Sequence, residues 1–196
     1  MGGYPSKDQR LTACNTLVKP YLFGMEFALL KDHAGQDVSG WLLSEKLDGW
    51  RCGWDGADFV TRQGEVIDAP NWFRAGLPAF ALDGELFAGR GQFNRIQSMM
   101  RDGWHGLTYA AFDVPCAMPF ASRARVLGAL PLPSHCNAVA HRLCVNAGDM
   151  MGFACRIVNE GGEGAVVRRA DSQWKAGRSG DVLRFVPQSP KLNRIK

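Results

Sequence analysis

The sequence predicts an α+β fold in which antiparallel β-sheets are flanked by helices. Three observations lead there. Short strand-like runs rich in Val, Leu, Phe and Trp follow one another from residue 41 onward, parted by Gly, Asp and Pro. Only two or three stretches carry the 3.6-residue apolar period of a helix. The strands also succeed one another without a helix between each pair, which parallel winding would require.

In chain order, the expected strands cover residues 41–45, 51–54, 59–61, 80–86, 107–113, 139–145, 164–168 and 182–186. The clearest helix is 147–159, where Met150, Phe153, Ala154, Ile157 and Val158 recur at helical spacing. Asn146 can cap its start and Gly161 its end. A second helix is expected over 122–130. No internal repeat and no long Pro/Gly/Ser-rich stretch divides the chain, so residues 1–196 are expected to form one domain.

Composition excludes several classes. Hydrophobic residues make up 46% and charged residues 21%, with 11 Phe and 6 Trp, so a disordered or low-complexity chain is ruled out. No apolar run approaches the roughly 20 residues that span a bilayer. The first 23 residues are interrupted by Lys7, Asp8, Arg10 and Lys19, which leaves no signal-peptide core, and a cytoplasmic location is expected. Six cysteines are scattered without a C-x-x-C pair, so they read as reduced thiols and not as a zinc or redox motif. From Arg168 to Lys196 there are eight Lys and Arg against two Asp, whereas the preceding residues carry 15 against 17 acids. That basic end is either a solvated tail or a surface for phosphates.

The chemistry concentrates in four segments. In Ser44-Glu45-Lys46-Leu47-Asp48-Gly49-Trp50-Arg51, Lys46 sits between an apolar strand and an Asp-Gly turn. A lysine can attack phosphorus only as the neutral amine, a form that burial or a nearby cation favours. Leu82-Asp83-Gly84-Glu85-Leu86 places two carboxylates on a strand. Tyr109-Ala110-Ala111-Phe112-Asp113 ends another strand with an aromatic ring and an acid, and Glu163-Gly164-Ala165-Val166-Val167-Arg168 begins a third with an acid. Each alone has a plain reading as a hairpin turn, a core aromatic or a solvated acid. Together they supply what nucleotidyl transfer needs: a nucleophile, carboxylates for a divalent metal, guanidinium clamps for phosphate and a ring for a base.

These segments, Lys46-x-Asp48-Gly49-x-Arg51, Asp83-Gly84-Glu85, the Phe112 strand and Glu163-Gly164-x-Val166-x-Arg168, resemble the ordered motifs of the covalent nucleotidyltransferases. Thr61-Arg62-Gln63-Gly64 and the stretches 82–93 and 162–181 are similar to those of minimal ATP-dependent DNA ligases, and the likeness runs from about Trp41 to Val186. The resemblance implies an adenylation domain of the nucleotidyltransferase (ATP-grasp-like) fold. It implies ATP and Mg²⁺ or Mn²⁺ as cofactors, nicked duplex DNA as partner, no membrane, a monomer, and a separate lid or DNA-binding protein as a further partner. Its catalytic residues would be Lys46, which takes AMP, and Asp48, which orients it. Nucleotide contacts would come from Glu45, Leu47, Arg51, Arg62, Glu85, Phe112 and Arg184, with Phe112 stacked on adenine and Ser44 beside Glu45 at the pocket edge. Glu85 and Glu163 would place the metal. The same motifs serve RNA ligases and capping enzymes, and a binding accessory that keeps the fold without efficient catalysis would carry them too.

Two departures from the family pattern stand out. The last strand of relatives presents two lysines one residue apart, whereas this chain has Arg184 and Val186, with Lys175, Arg178 or Lys191 as the nearest substitutes. The OB-fold that follows in relatives is also expected to be absent.

Overall fold

The structure, a computed structural model, describes residues 26–187. Within them the strands are β1 (Ala28–Asp32), β2 (Leu42–Lys46), β3 (Trp50–Trp54), β4 (Phe59–Thr61), β5 (Val66–Ile67), β6 (Leu82–Phe87), β7 (Thr108–Asp113), β8 (Cys136–Ala138), β9 (Arg142–Leu143), β10 (Gly164–Arg168) and β11 (Gly177–Phe185). The helices are α1 (Asn71–Arg74), α2 (Ile96–Arg101), α3 (Phe120–Gly128) and α4 (Ala147–Asn159). Sheet one has the order β1-β11-β10-β2-β9 and sheet two the order β5-β4-β3-β6-β7-β8. Pairing is antiparallel except for β1 with β11 and β7 with β8. The expected α+β class and antiparallel sheets are therefore present, with β1, β5, β8, α1 and α2 added to the predicted elements.

Alternation along the strands gives each sheet one apolar face. In sheet one, Leu43, Ala165, Val167 and Leu183 pack with Met150 and Ala154 of α4. The Asn146 side chain accepts from the Asp149 backbone N–H at 2.9 Å, which caps α4 as its sequence predicts. In sheet two, Cys52, Leu82, Leu86, Tyr109 and Ala111 join Trp54, Phe59, Phe73 and Trp104 in the larger core. The polar faces are set by register: Ser44 pairs with Val166 and Val166 with Arg184 in sheet one, while Arg51 pairs with Glu85 and Glu85 with Ala110 in sheet two.

The single strand expected over 139–145 is divided. Val139 N–H still bonds the Ala111 carbonyl at 2.7 Å in sheet two, whereas Cys144 N–H bonds Trp41 at 2.8 Å in sheet one. The chain changes sheets between them. A continuous apolar run cannot reveal such a switch, because both halves satisfy the same pattern.

A buried ion cluster ties the sheets together. Asp113, fully buried on β7, accepts from Arg123 of α3 at 2.7 and 3.2 Å and from Arg168 of β10 at 2.6 Å. Its Oδ1 also accepts from the Val114 N–H at 2.8 Å. Arg123 further donates to Ser172 O at 3.0 Å. By contrast, the Asp32–Arg184 pair between β1 and β11 lies in solvent.

Removing one member of a buried charge set leaves the others without compensation, which typically costs about 3–5 kcal/mol. Asp113→Asn should therefore lower the free energy of unfolding by about that amount, while Asp32→Asn should hardly move the urea midpoint. Equal shifts for the two variants would show that the cluster does not hold the sheets.

Candidate active site

Strands β2 and β3 belong to different sheets, so the Leu47-Asp48-Gly49 turn between them carries the chain across the cleft. Lys46 ends β2 opposite Gly164, and its Nζ makes an ion pair with Glu163 Oε2. The Lys46 side chain is 14% exposed and that of Glu163 33%, so the pair sits at the rim of the cleft and not in its core. Glycine is required at position 49: a Cβ there would come within 2.7 Å of Leu86 O and 2.9 Å of Glu85 Oε2. This close approach lets Gly49 N–H donate to Glu85 Oε2 at 3.1 Å.

Glu85 faces the cleft from β6. Burial pushes its carboxyl up to about 7, against the opposing pull of Arg51, Lys46 and the Gly49 N–H. Beside it, Arg51 forks onto Asp83, Nε to Oδ1 at 3.0 Å and Nη2 to Oδ2 at 2.8 Å, and Nη2 also reaches Ala28 O at 3.1 Å. Burial likewise raises Asp83, with Arg51 and Arg168 acting against it. The guanidinium carbons of Arg51 and Arg168 lie 4.5 and 5.1 Å from the centre of the Phe112 ring. Phe112 stands where the β6–β7 register slips by one residue: Asp83 faces Asp113, but Gly84 faces Ala111. The slip turns two consecutive residues, Phe112 and Asp113, toward the cleft.

Of the residues singled out in the sequence, Glu45, Lys46, Leu47, Arg51, Glu85 and Phe112 line one small cavity of about 40 Å³, with Ser44, Val166 and Arg168. A larger cleft of about 680 Å³ adjoins it, sharing Glu45, Leu47 and His141 as walls. Glu163 joins the group through Lys46. Asp48 lies in the turn beside Lys46. The other two residues are placed apart: Arg62 is exposed in the β4–β5 turn at the sheet edge, and Arg184 turns its fork to Asp32 at 2.6 Å. Lys191 lies outside the described residues. The sequence motifs give no site role to Asp83, Asp113, Arg123, Arg90 or His141. The two acids were visible at strand ends, but nothing in the chain order couples Asp113 to Arg123 and Arg168, because that coupling needs the sheets assembled.

Two sheets enclosing a cleft with a lysine at the end of one strand define a nucleotidyltransferase domain. No family model matches the chain. It is 34% identical over 168 residues to a DNA ligase of Haemophilus influenzae, a match covering 82% of this chain and 63% of that protein, so the chain spans less than two thirds of that relative. A solved Lig E DNA ligase superposes with a TM-score of 0.76 and 30% identity, over 83% of this chain and 69% of that one. The Chlorella virus DNA ligase–adenylate shares the fold at a TM-score of 0.65 and 18% identity, over 81% and 67% of the two chains. The chain belongs to the DNA ligase family. Among the described residues, no helix is long and apolar enough to cross a membrane.

The raised Glu85 carboxyl has a sign that can be measured. Between its ordinary value of 4.5 and about 7, the folded state binds more protons than the unfolded state, so this group's contribution is fully present below pH 4.5 and lost as pH rises through 7. Relative to Glu85→Gln, the wild type should lose up to about 3 kcal/mol of stability between pH 4.5 and 8, read from denaturant unfolding at both ends. A gap between the two proteins that is independent of pH would contradict the burial of this carboxyl.

Proposed function

We propose that this chain is the adenylation domain of an ATP-dependent DNA ligase that seals nicks in duplex DNA through a lysyl-AMP intermediate. The observation that carries the reading is the meeting of Lys46, Glu163, Glu85, Arg51 and Phe112 at one cleft. Lys46 attacks the α-phosphorus of ATP as the neutral amine, its ammonium having released a proton to solvent, and the paired Glu163 holds the lysine at the cleft. The Nζ–phosphorus bond forms as the bond to the β-phosphate oxygen breaks, and pyrophosphate leaves. Asp48 orients the lysine. Phe112 takes the adenine against its ring, Glu45 and Leu47 edge the pocket, and Arg51 and Arg62 serve phosphate and ribose, a task that suits a planar fork. Arg184 contributes to the triphosphate on leaving Asp32. Most of the rate gain comes from positioning and charge neutralisation.

The donor set suits a hard divalent cation. No group of three or more metal-ligating side chains occurs among the described residues, and Mg²⁺ is usually held by one or two carboxylates with substrate oxygens and water. Glu85 and Glu163 would hold Mg²⁺ or Mn²⁺, which would neutralise charge on the triphosphate. AMP then passes to a 5′-phosphate and is displaced by a 3′-hydroxyl. The Lig E relative is described as binding DNA with a minimal scaffold, which supports a DNA substrate here. We assign duplex grip to an element beyond the described residues, in the same chain or in a separate lid or DNA-binding protein. Self-adenylation needs only one copy, and we place the enzyme in the cytoplasm as a monomer.

Incubation with α-labelled ATP and Mg²⁺ should leave label on the wild type, and Lys46→Ala should lose it while keeping its melting temperature. Label on the variant at wild-type yield would refute the mechanism.

Val186 stands where relatives carry the second lysine. It is 44% exposed and lies against Gly164, the register partner of Lys46. A lysine there costs little burial, so Val186→Lys should speed single-turnover adenylation without loss of stability. An unchanged rate would show that the existing arginines already supply the needed charge.

A further inference from the structure

The acid that the sequence places at the base edge is already engaged. Arg90 takes both oxygens of Glu45, Nε to Oε1 at 2.8 Å and Nη2 to Oε2 at 2.9 Å, and its Nη1 reaches Glu160 Oε2 at 2.8 Å. A different side chain lines the cleft. His141, in the crossover between β8 and β9, lines both the small cavity beside Phe112 and the larger cleft. Its Nε2 is sealed from solvent and has no hydrogen-bond partner among the described residues.

The ring is held against an aromatic neighbour. It stands edge-on to Phe120, with centroids 5.1 Å apart and planes at 81°. The nearby Val139 backbone favours ring protonation, but less than burial opposes it. In the neutral tautomer with its proton on Nδ1, Nε2 presents a bare lone pair. Burial and the Arg168 charge push the ring down to about 4, so it is neutral at physiological pH. A buried acceptor without a donor is unfavourable, and a ligand that brings an N–H recovers that loss.

We infer that His141 reads the nucleotide base: its Nε2 accepts the exocyclic amino group of adenine and so selects ATP over GTP. The inference rests on the proposed nucleotidylation of Lys46. Adenine bears an amino donor where guanine bears a carbonyl oxygen, and an oxygen there would set two lone pairs against each other. Unsubstituted purine offers only a C–H and leaves Nε2 as it is. Differential pairing of one buried polar group is a large source of discrimination, because the wrong ligand leaves the group unsatisfied.

The test compares α-labelled ATP, purine riboside triphosphate and GTP, each with Mg²⁺, in single-turnover labelling of wild type, His141→Phe and His141→Gln. Melting curves accompany each variant. Wild type should label with ATP roughly 10- to 100-fold faster than with purine riboside triphosphate. His141→Phe should shrink that ratio to about threefold or less, mostly by slowing ATP, whereas His141→Gln should retain part of it through the amide oxygen. An ATP-to-purine ratio unchanged in His141→Phe would overturn the assignment while leaving Lys46 nucleotidylation intact. No label on wild type with any of the nucleotides would instead refute the nucleotidylation reading, and the His141 assignment with it. Should His141→Phe fail to fold, the ¹⁵N resonance of Nε2 in the wild type decides. It should shift upfield on adding ATP but not on adding purine riboside triphosphate, and identical responses to the two would overturn the inference.

Discussion

The Asp113 carboxylate is the point on which the two-sheet architecture turns. It lies on β7 of sheet two and is held by Arg168 of β10 in sheet one and by Arg123 of α3. With Asp83 and Arg51 nearby, two buried acids face three arginines, so the base of the cleft is built from ions that each need the others to remain buried. Sheet one and sheet two each have an apolar core of their own, and neither core explains why they meet at a fixed distance and angle. The ion cluster supplies that directional link, which apolar packing alone does not.

The same cluster shapes the electrostatics above it. Arg51 and Arg168 are anchored by Asp83 and Asp113 from below, and their guanidinium planes lie over Phe112. Glu85 sits one strand position from this charge, with its carboxyl raised by burial and only partly relieved by the surrounding cations. The Gly49 N–H bond to Glu85 couples the turn that follows Lys46 to the floor of sheet two. A substitution at Gly49 would thus move the turn, the carboxylate and the lysine together, because the backbone approach leaves no room for a Cβ.

Polar contacts also bridge the cleft at its other end. Arg90, from the loop after β6, joins Glu45 of β2 and Glu160 after α4. This half-buried fork and the buried Asp113 cluster brace the space in which the small cavity and the larger cleft lie. The crossover of residues 139–141 forms one of its walls, and the change of sheets there brings a half-buried imidazole to a position that a continuous strand would not supply.

The sequence by itself determined the α+β class, the sites of most strands, helix α4 with its Asn146 cap, and the motif residues gathered around Lys46. These were legible because they rest on local periodicity, turn chemistry and short spacings within single segments. Tertiary structure alone decided the rest. The run 139–145 reads as one strand yet serves two sheets, since periodicity does not encode which edge a strand joins. The register slip at Phe112 turns it and Asp113 to the same side, although strict alternation would part them. Arg184 spends its fork on Asp32, and Arg62 stands at a sheet edge, because their surroundings come from strands far away in the chain. Asp113 found Arg168, 55 residues distant, only when the sheets closed, for a buried charge selects its partner by proximity in space and desolvation, neither of which is written in sequence order.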